Sequence, residues 1–353
     1  KRVEKLNDHG KWFNWQKGHT FDVLGLMHGL FPLQRVELAQ HFPEMCGKSY
    51  LAVIHADGNA VGKRFNEWTE SKGEKDPVRK EVIGEKFYYT MRVVVRKAVL
   101  AALRDTFPET LEVDFRPYQL LMLGGDDLVM VCKAEHALEF AYHYARHVER
   151  SGTNLPDESP LTVGIGIAIA SANFPFYHLH TLAEQLASSA KRLYRSLPAN
   201  ARTSVVDWMV CTNSWSDDPQ QQRKKAELIS YHVPSANSTA RNEQLALIRR
   251  PYTVLPGPEG SPNDLQSLEG LRLAAQSLSS SLKEADDRPA RSQLRSLAME
   301  LYRGRLSGKL AFDELPQGTK KALEDVGIKK PWEEVTPDSN HWTTSLVDLV
   351  DLI

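Results

Sequence analysis

Three carboxylates in two short motifs are the residues of this sequence best suited to chemistry. Asp57 opens the segment Asp-Gly-Asn-Ala-Val-Gly, and Asp126 and Asp127 follow two glycines in Gly-Gly-Asp-Asp. Hard cations such as Mg²⁺ prefer oxygen ligands, usually one or two carboxylates each. Two such ions can clamp the attacking and leaving oxygens of a phosphoryl or nucleotidyl transfer. We therefore predict that these three residues are catalytic and hold two Mg²⁺ or Mn²⁺ ions, with the Gly58 carbonyl as a further ligand.

Small and basic residues near the carboxylates could hold the phosphates of a nucleotide. Successive backbone N–H groups after Asp57 can form an anion-binding nest, and two basic residues, Lys63 and Arg64, follow it. Lys191 and Arg195 lie one turn apart on a predicted helix, so both can face the same phosphates. The predicted nucleotide-binding residues are Gly58, Asn59, Gly62, Lys63, Gly124, Gly125, Lys191 and Arg195.

Each motif alone also has a plain structural explanation. Asp57-Gly58-Asn59 is typical of a turn, and the Gly-Gly-Asp-Asp segment could be a surface hairpin with acidic turn residues. Lys191 and Arg195 alone could lie on a solvated helix face. Their combination and order favour the chemical interpretation.

The apolar pattern predicts elements in an order that would bring the carboxylates together. Predicted strands cover residues 49–56, 117–123, 127–132, 161–170 and 203–210, and predicted helices cover 79–106, 135–149 and 178–195. This is the ferredoxin-like βαββαβ order, in which the first strand neighbours the central hairpin. Asp57 would then meet Asp126 and Asp127 although roughly 70 residues separate them along the chain.

The rest of the chain is predicted to form separate segments of an α+β protein. We expect a helical lead-in over 1–46, a ferredoxin-like domain over 47–215, a connecting segment over 216–263 and an all-helical domain over 264–353. Residues 66–80 are polar and predict a loop around Lys72–Pro77. The C-terminal helices are predicted from regularly spaced leucines, among them Leu268, Leu271, Leu294 and Leu297.

Composition indicates an ordinary globular protein. Of the 353 residues, 41% are hydrophobic and 25% charged, and the net charge of −1 provides no global attraction to nucleic acid. The three cysteines form no Cys-x-x-Cys pair, and no apolar run approaches the roughly 20 residues of a membrane span. We therefore expect a cytoplasmic protein without membrane partners. Because the first residue is Lys1 rather than Met, we expect a trimmed or processed chain.

Some other residues have mainly structural interpretations. His55 is expected to be a packed strand histidine, and His178 and His180 are expected at the surface. Gly164 and Gly166 have no following dinucleotide-binding pattern, so close packing of the strand explains them better.

Together the motifs resemble the palm-domain polymerase-cyclase large subunit of type III CRISPR effector complexes. The segment 55–63 resembles that family's first metal-binding motif, and Leu123-Gly-Gly-Asp-Asp127 matches its signature hairpin. Residues 163–191 resemble its last palm strand and the helix that carries a phosphate-binding lysine, here Lys191. Residues 249–253 and 291–295 resemble parts of its C-terminal domain, so the resemblance covers roughly residues 49–310.

The resemblance implies an activity and partners. It implies that ATP is converted into cyclic oligoadenylate messengers in antiviral defence, by attack of a 3′-hydroxyl on the α-phosphate of the next ATP. It also implies protein subunits assembled around a guide RNA, with target RNA acting indirectly. Many members of the family carry an HD-type nuclease domain and a cysteine zinc motif, and neither pattern occurs in these 353 residues. A minimal stand-alone form could be a homodimer.

Two other functions remain open. A diguanylate or dinucleotide cyclase-like signalling enzyme would share the palm motifs, but its signature hairpin has Glu-Phe where this chain has Asp127-Leu128. An ATP-binding architectural subunit of a ribonucleoprotein effector would not require an intact carboxylate set. The motifs do not distinguish ATP from GTP, nor do they set the product's ring size or linkage.

Overall fold

The computed structural model describes two compact units of the chain. The described residues are 31–352 without 34–35, 38, 48, 151–154, 212–220, 222–227, 234–240, 258–263, 285–288 and 336–340. The first unit comprises Lys1–Leu197 with Thr203–Ser214, and the second comprises Pro198–Arg202 with Trp215–Ile353. Residues 1–30, which make up most of the predicted helical lead-in, lie outside the described residues.

The first unit contains five helices and five strands among its described residues. They are α1 (Phe42–Cys46), β1 (Tyr50–Gly58), α2 (Val61–Ser71), α3 (Pro77–Thr106), β2 (Tyr118–Gly124), β3 (Asp127–Lys133), α4 (Ala137–Glu149), β4 (Val163–Ser171), α5 (Phe176–Ser196) and β5 (Val205–Cys211).

The strands of this unit form one sheet in the order β2-β3-β1-β4-β5. Strand β1 pairs antiparallel with both β3 and β4, and β2 pairs antiparallel with β3. Four strands in this order are the ferredoxin-like βαββαβ sheet, so the predicted α+β class is confirmed. Strand β5 extends this sheet because α5 returns the chain to lie parallel to β4.

Helices cover the centre of the sheet and explain its apolar strands. The first eight residues of β4 are buried, which fits a strand covered on both faces. Helix α5 packs Leu179, Leu182 and Leu186 against Val53 of β1 and Val131 of β3. Helix α4 packs against β4 and α3. This close packing places the loop at the ends of β1 and β3 within reach of α5.

The chain after β1 differs from the prediction. Residues 66–80 were predicted as a loop, but α2 occupies Val61–Ser71. Trp68 is buried and its ring lies 5.7 Å from that of Phe87 on α3, so packing of aromatic rings stabilises a helix that the polar sequence does not indicate. The loop is confined to residues 72–76. It ends at Asp76, whose side chain accepts a hydrogen bond from the Arg79 N–H at the start of α3.

The second unit contains helices and a small sheet. Its described elements are β6 (Leu228–Val233), β7 (Arg241–Ala246), β8 (Tyr252–Thr253), α6 (Leu268–Glu284), α7 (Pro289–Leu301), α8 (Arg305–Asp313), α9 (Gln317–Asp325), β9 (Glu333–Glu334), β10 (His341–Thr343) and α10 (Leu346–Leu352). The predicted C-terminal helices are present, and leucines that predicted them, such as Leu271 and Leu297, are buried.

A four-stranded sheet in the order β6-β7-β10-β9 shares this unit with the helices, so the C-terminal segment is not purely helical. Strands β9 and β10 span only two and three residues, which is too short to produce a recognisable alternation. In the described part of the chain, no helix is both long and apolar enough to span a membrane.

Candidate active site

The three predicted carboxylates meet at one end of the sheet. Asp57 is the penultimate residue of β1 rather than the residue after it, and it pairs with Gly164 of β4. Strand β3, the other neighbour of β1, begins at Asp127. Carboxylate oxygens of Asp57, Asp126 and Asp127 lie within 4.8 Å of one another. The antiparallel pairing of β1 with β3 is therefore what brings the two motifs together.

Glycines allow this close approach. Gly125 adopts a φ of 48° at the tip of the hairpin, a conformation that favours glycine. At Gly58, a Cβ atom would lie 2.7 Å from an Asp126 carboxylate oxygen and 2.5 Å from Cγ2 of Val61. Any larger residue at position 58 would push the hairpin carboxylate away from β1.

The carboxylates destabilise one another's charges. Burial raises the pKa of Asp126, and the neighbouring charge of Asp57 raises it further. Burial raises the pKa of Asp127 to about 7, with a hydrogen bond to Asp57 and its charge adding to the effect. A divalent cation at this point would relieve the repulsion, since hard cations prefer oxygen ligands of this kind.

Lys191 reaches this cluster from α5. Its amine donates to the Asp57 carboxylate and to the Gly58 carbonyl oxygen, the latter at 3.0 Å. The lysine side chain crosses β4 at Gly164, where a Cβ atom would lie 2.6 Å from Lys191 Cγ. Gly164 thus provides the space for Lys191, which is a specific reason for the first glycine of the Gly-x-Gly pair.

Asn59 is almost fully buried beside Lys191. Its backbone N–H donates to the Thr162 carbonyl at 2.8 Å, and its side-chain amide donates to the Thr162 hydroxyl at 3.2 Å. Its side-chain oxygen Oδ1 has no hydrogen-bond partner among the described residues. An oxygen left in this way is costly unless a ligand or water satisfies it.

Helix α2 begins next to the carboxylates. Its first residue follows Ala60, which adopts a left-handed φ of 55° and provides no side-chain cap. The first N–H groups of a helix have no intrahelical partner, so those of Val61, Gly62 and Lys63 can bind an anion. A Cβ atom at Gly62 would meet no atom within 4 Å, so its surroundings are open.

Three basic residues predicted near the phosphates are paired with other groups or exposed. Arg64 donates two hydrogen bonds to Asp157 and others to the carbonyls of Ser159 and Pro160, so it fastens α2 to the loop before β4. Lys63 is exposed and lies 3.6 Å from Glu67. Arg195 is exposed on α5. Of the four predicted cations, Lys191 contacts the carboxylates in this structure.

Two residues beside the site were missed by the sequence analysis. Thr162 holds Asn59, and Tyr144 is a fully buried residue of α4 whose pKa is raised by burial and by the three carboxylates. Neither belongs to a motif or has a diagnostic spacing. Both become recognisable only when the packing of β4 and α4 is known.

His180, which was predicted at the surface, is half-buried beside His55. The rings of His55 and His180 have centroids 5.9 Å apart, and both residues lie with Glu184 in a cluster whose ligand atoms are within 4.8 Å of one another. Burial lowers the pKa of His55, which agrees with its predicted packing in the strand.

The sheet order and the hairpin carboxylates define a palm domain. Residues 50–196 match the family model of the Cas10/Cmr2 second palm domain. These residues therefore form a Cas10-like palm domain, as the motifs predicted. No curated protein matches the sequence.

Solved structures with some similarity are Csm1-Csm4 cassettes. The cassette in complex with AMPPNP has 17% identity and a TM-score of 0.33, covering 43% of this chain and 21% of the other. The complex with one ATP has 16% identity and a TM-score of 0.34, covering 46% and 23%. The complex with cA4 has 16% identity and a TM-score of 0.32, covering 42% and 21%. This chain thus spans about a fifth of these larger chains, and similarities this weak transfer neither a ligand nor a partner to it.

Proposed function

We propose that this protein is a two-metal nucleotidyltransferase that converts ATP into cyclic oligoadenylates. The most direct support is that Asp57, Asp126 and Asp127 meet at one point. The Lys191 amine donates to Asp57 there. Three carboxylates, one lysine and the N-terminus of α2 together suit a nucleoside triphosphate and its cations.

The donor set fits hard divalent ions. It consists of three carboxylates and the Gly58 carbonyl, all of them oxygen ligands of the kind that Mg²⁺ and Mn²⁺ take. Burial and the neighbouring Asp57 raise the pKa of Asp126 and Asp127, so added positive charge is needed to keep both ionised at neutral pH. Two bound ions would supply activation of the 3′-hydroxyl and stabilisation of the pyrophosphate leaving group.

The protein's own groups then bind and orient the nucleotide. The open N–H groups of α2 at Val61, Gly62 and Lys63 hold phosphate oxygens by hydrogen bonds. Lys191 exchanges its contact with Asp57 for the triphosphate, which leaves Asp57 free to bind metal. Because Gly164 has no side chain, it leaves room for the side chain of Lys191. Arg195 is exposed one turn further along α5 and is available to contact the outer phosphates of a bound triphosphate.

We also propose that the protein works in a cytoplasmic guide-RNA effector complex. Its Cas10-like palm domain supports association with other protein subunits, with target RNA as the signal that controls synthesis. A stand-alone form would instead use a second copy of the chain.

The test is a product assay on the full chain. Labelled ATP or GTP is incubated with Mg²⁺ or Mn²⁺, with and without partner subunits, guide RNA and target RNA, and products are identified by mass spectrometry. Cyclic oligoadenylate from ATP is expected. Asp126→Ala with Asp127→Ala should lower its rate by at least about a thousandfold, because the metal ions contribute several kcal/mol to the transition state.

The matched control changes two exposed carboxylates on the loop before β2, Glu112→Ala with Asp114→Ala, and should retain full activity. Product formation that survives the change of Asp126 and Asp127 would show that the metal assignment is wrong. A cyclic dinucleotide made from GTP would favour the diguanylate-type enzyme. ATP binding without any product in the assembled complex would favour an architectural subunit.

A further inference from the structure

A further group of side chains that could hold a metal ion lies between α3 and α4. Asp105 is the penultimate residue of α3, and His143 and His147 lie one turn apart on α4. Ligand atoms of these three residues are within 4.8 Å of one another. None of the three belongs to the carboxylate cluster of the palm.

The distances suit a tetrahedral metal ion. Donor atoms about 2.0 Å from Zn²⁺ lie about 3.3 Å apart in a tetrahedral site. Nδ1 of His143 lies 3.4 Å from Oδ2 of Asp105. Nε2 of His147 is hydrogen-bonded to the same oxygen at 2.6 Å. This distance would have to increase by about 0.7 Å for both atoms to bind one ion.

His143 is oriented as a ligand. Its Nε2 lies 3.1 Å from Oε1 of Glu139, one turn earlier on α4. This carboxylate can only accept a hydrogen bond from Nε2, which leaves Nδ1 facing Asp105 as the nitrogen available to an ion. Metal-binding histidines are commonly held by a carboxylate in this way.

Nδ1 of His143 is also unsatisfied. This atom is buried and has no hydrogen-bond partner among the described residues. The hydrogen bond between Asp105 and His147 does not pair this atom, and an unpaired buried polar atom destabilises the fold. A bound cation would satisfy it.

We propose that Asp105, His143 and His147 bind a transition-metal ion, Zn²⁺ by its ligand chemistry, that fastens the end of α3 to α4. The two imidazoles are borderline ligands that favour Zn²⁺ over Mg²⁺, and a carboxylate is a common third ligand of Zn²⁺. Asp105 is exposed and His147 half-buried, so the ion can enter from solvent and keep a water as its fourth ligand. Glu139 is a positioning residue that acts through His143.

Metal binding to the full chain tests this site directly. The protein is stripped with a chelator and titrated with Co²⁺, whose visible absorption reports nitrogen ligands in a tetrahedral site, and Zn²⁺ is then added in competition. One ion per chain is expected at this site. His147→Ala and Asp105→Ala should each weaken Zn²⁺ binding at least 100-fold, and Glu139→Gln should weaken it 10–100-fold.

Matched controls separate this site from its neighbours. His178→Ala, an exposed histidine of α5, should leave the Co²⁺ spectrum unchanged, as should His180→Ala and the double change Asp126→Ala with Asp127→Ala. Circular dichroism of each metal-free variant shows whether it folds. The proposal is overturned if folded His147→Ala and Asp105→Ala bind Zn²⁺ like the unchanged protein, or if His180→Ala removes the spectrum. The proposed nucleotidyl transfer could fail its own assay without affecting this result.

Discussion

Without a bound metal ion, the three carboxylates of the palm repel one another. Asp126 and Asp127 are partly buried beside Asp57, and Lys191 supplies one positive charge against three negative ones. Burial and repulsion hold the pKa of Asp127 at about 7, well above its ordinary 3.8. The metal-free protein should therefore bind protons at this site when it folds.

This coupling predicts how stability depends on pH. A carboxyl with a raised folded-state pKa favours the folded state below its unfolded pKa, and that stability is lost as pH rises through the folded value. In chelator, the free energy of unfolding should thus fall as pH rises from about 3.8 to about 7. Urea denaturation at several pH values measures it. Asp127→Asn should flatten the curve, whereas the exposed Asp114→Asn should not, and equal slopes in all three proteins would contradict the assignment.

At the scale of elements, the approach of α5 to β4 determines where Lys191 lies. A Cβ atom at Gly166 would lie 2.0 Å from the carbonyl oxygen of Ala183 and 2.3 Å from the amide of Ala187. Helix and strand touch at this glycine through their backbones. The same contact places Lys191 over Gly164, two residues earlier on β4.

The two glycines should differ in the effect of adding a methyl group. Gly166→Ala is expected to reduce the free energy of unfolding by about 1–3 kcal/mol or more, because the backbone of α5 must move. Gly164→Ala should destabilise less, since Cγ of the flexible Lys191 can shift, but it should weaken ATP binding. Urea denaturation and a nucleotide titration separate the two effects.

Gly62→Ala is a control for both changes, because a Cβ atom there meets nothing within 4 Å and stability should be retained. If Gly166→Ala proves as stable as Gly62→Ala, the close contact of α5 with β4 is wrong.

At the scale of the whole molecule, each unit has its own buried interactions. In the second unit, the fully buried Asp348 accepts hydrogen bonds from the Arg249 N–H at 2.8 Å, the Arg250 guanidinium at 2.7 Å and the Tyr252 hydroxyl at 2.7 Å. The Asp348 carboxylate of α10 thus fixes the position of residues 249–252 at the start of β8.

Removing this carboxylate should unfold the second unit more easily. Asp348→Ala leaves the buried guanidinium of Arg250 without its main partner, and it is expected to lower the free energy of unfolding by about 3–5 kcal/mol. Asp351→Ala removes the more exposed partner of the same arginine and should change it by at most about 1 kcal/mol. Denaturation of both variants provides the measurement, and equal effects would refute a special role for Asp348.

The palm sheet and the meeting of its carboxylates could be predicted from the sequence. Apolar runs, the glycine hairpin and the acidic positions are local signals, and the order of elements was enough to predict that Asp57 meets Asp126 and Asp127. Helix α2 escaped prediction because Trp68 and its packing on α3, not its polar sequence, stabilise it. The sheet of the second unit escaped because its last two strands are too short to alternate.

Packing between elements determines which further side chains meet at one place. Lys191 and Asp57 are 134 residues apart, Asn59 and Thr162 are 103 apart, and Asp105 and His147 are 42 apart. Their meeting depends on how closely α5 lies on β4 and how α4 lies beside α3. Periodicity reports which face of an element is buried, but it carries no information on the distance or rotation between two packed elements. Those two quantities decide that Lys191, and not Arg64, reaches the carboxylates.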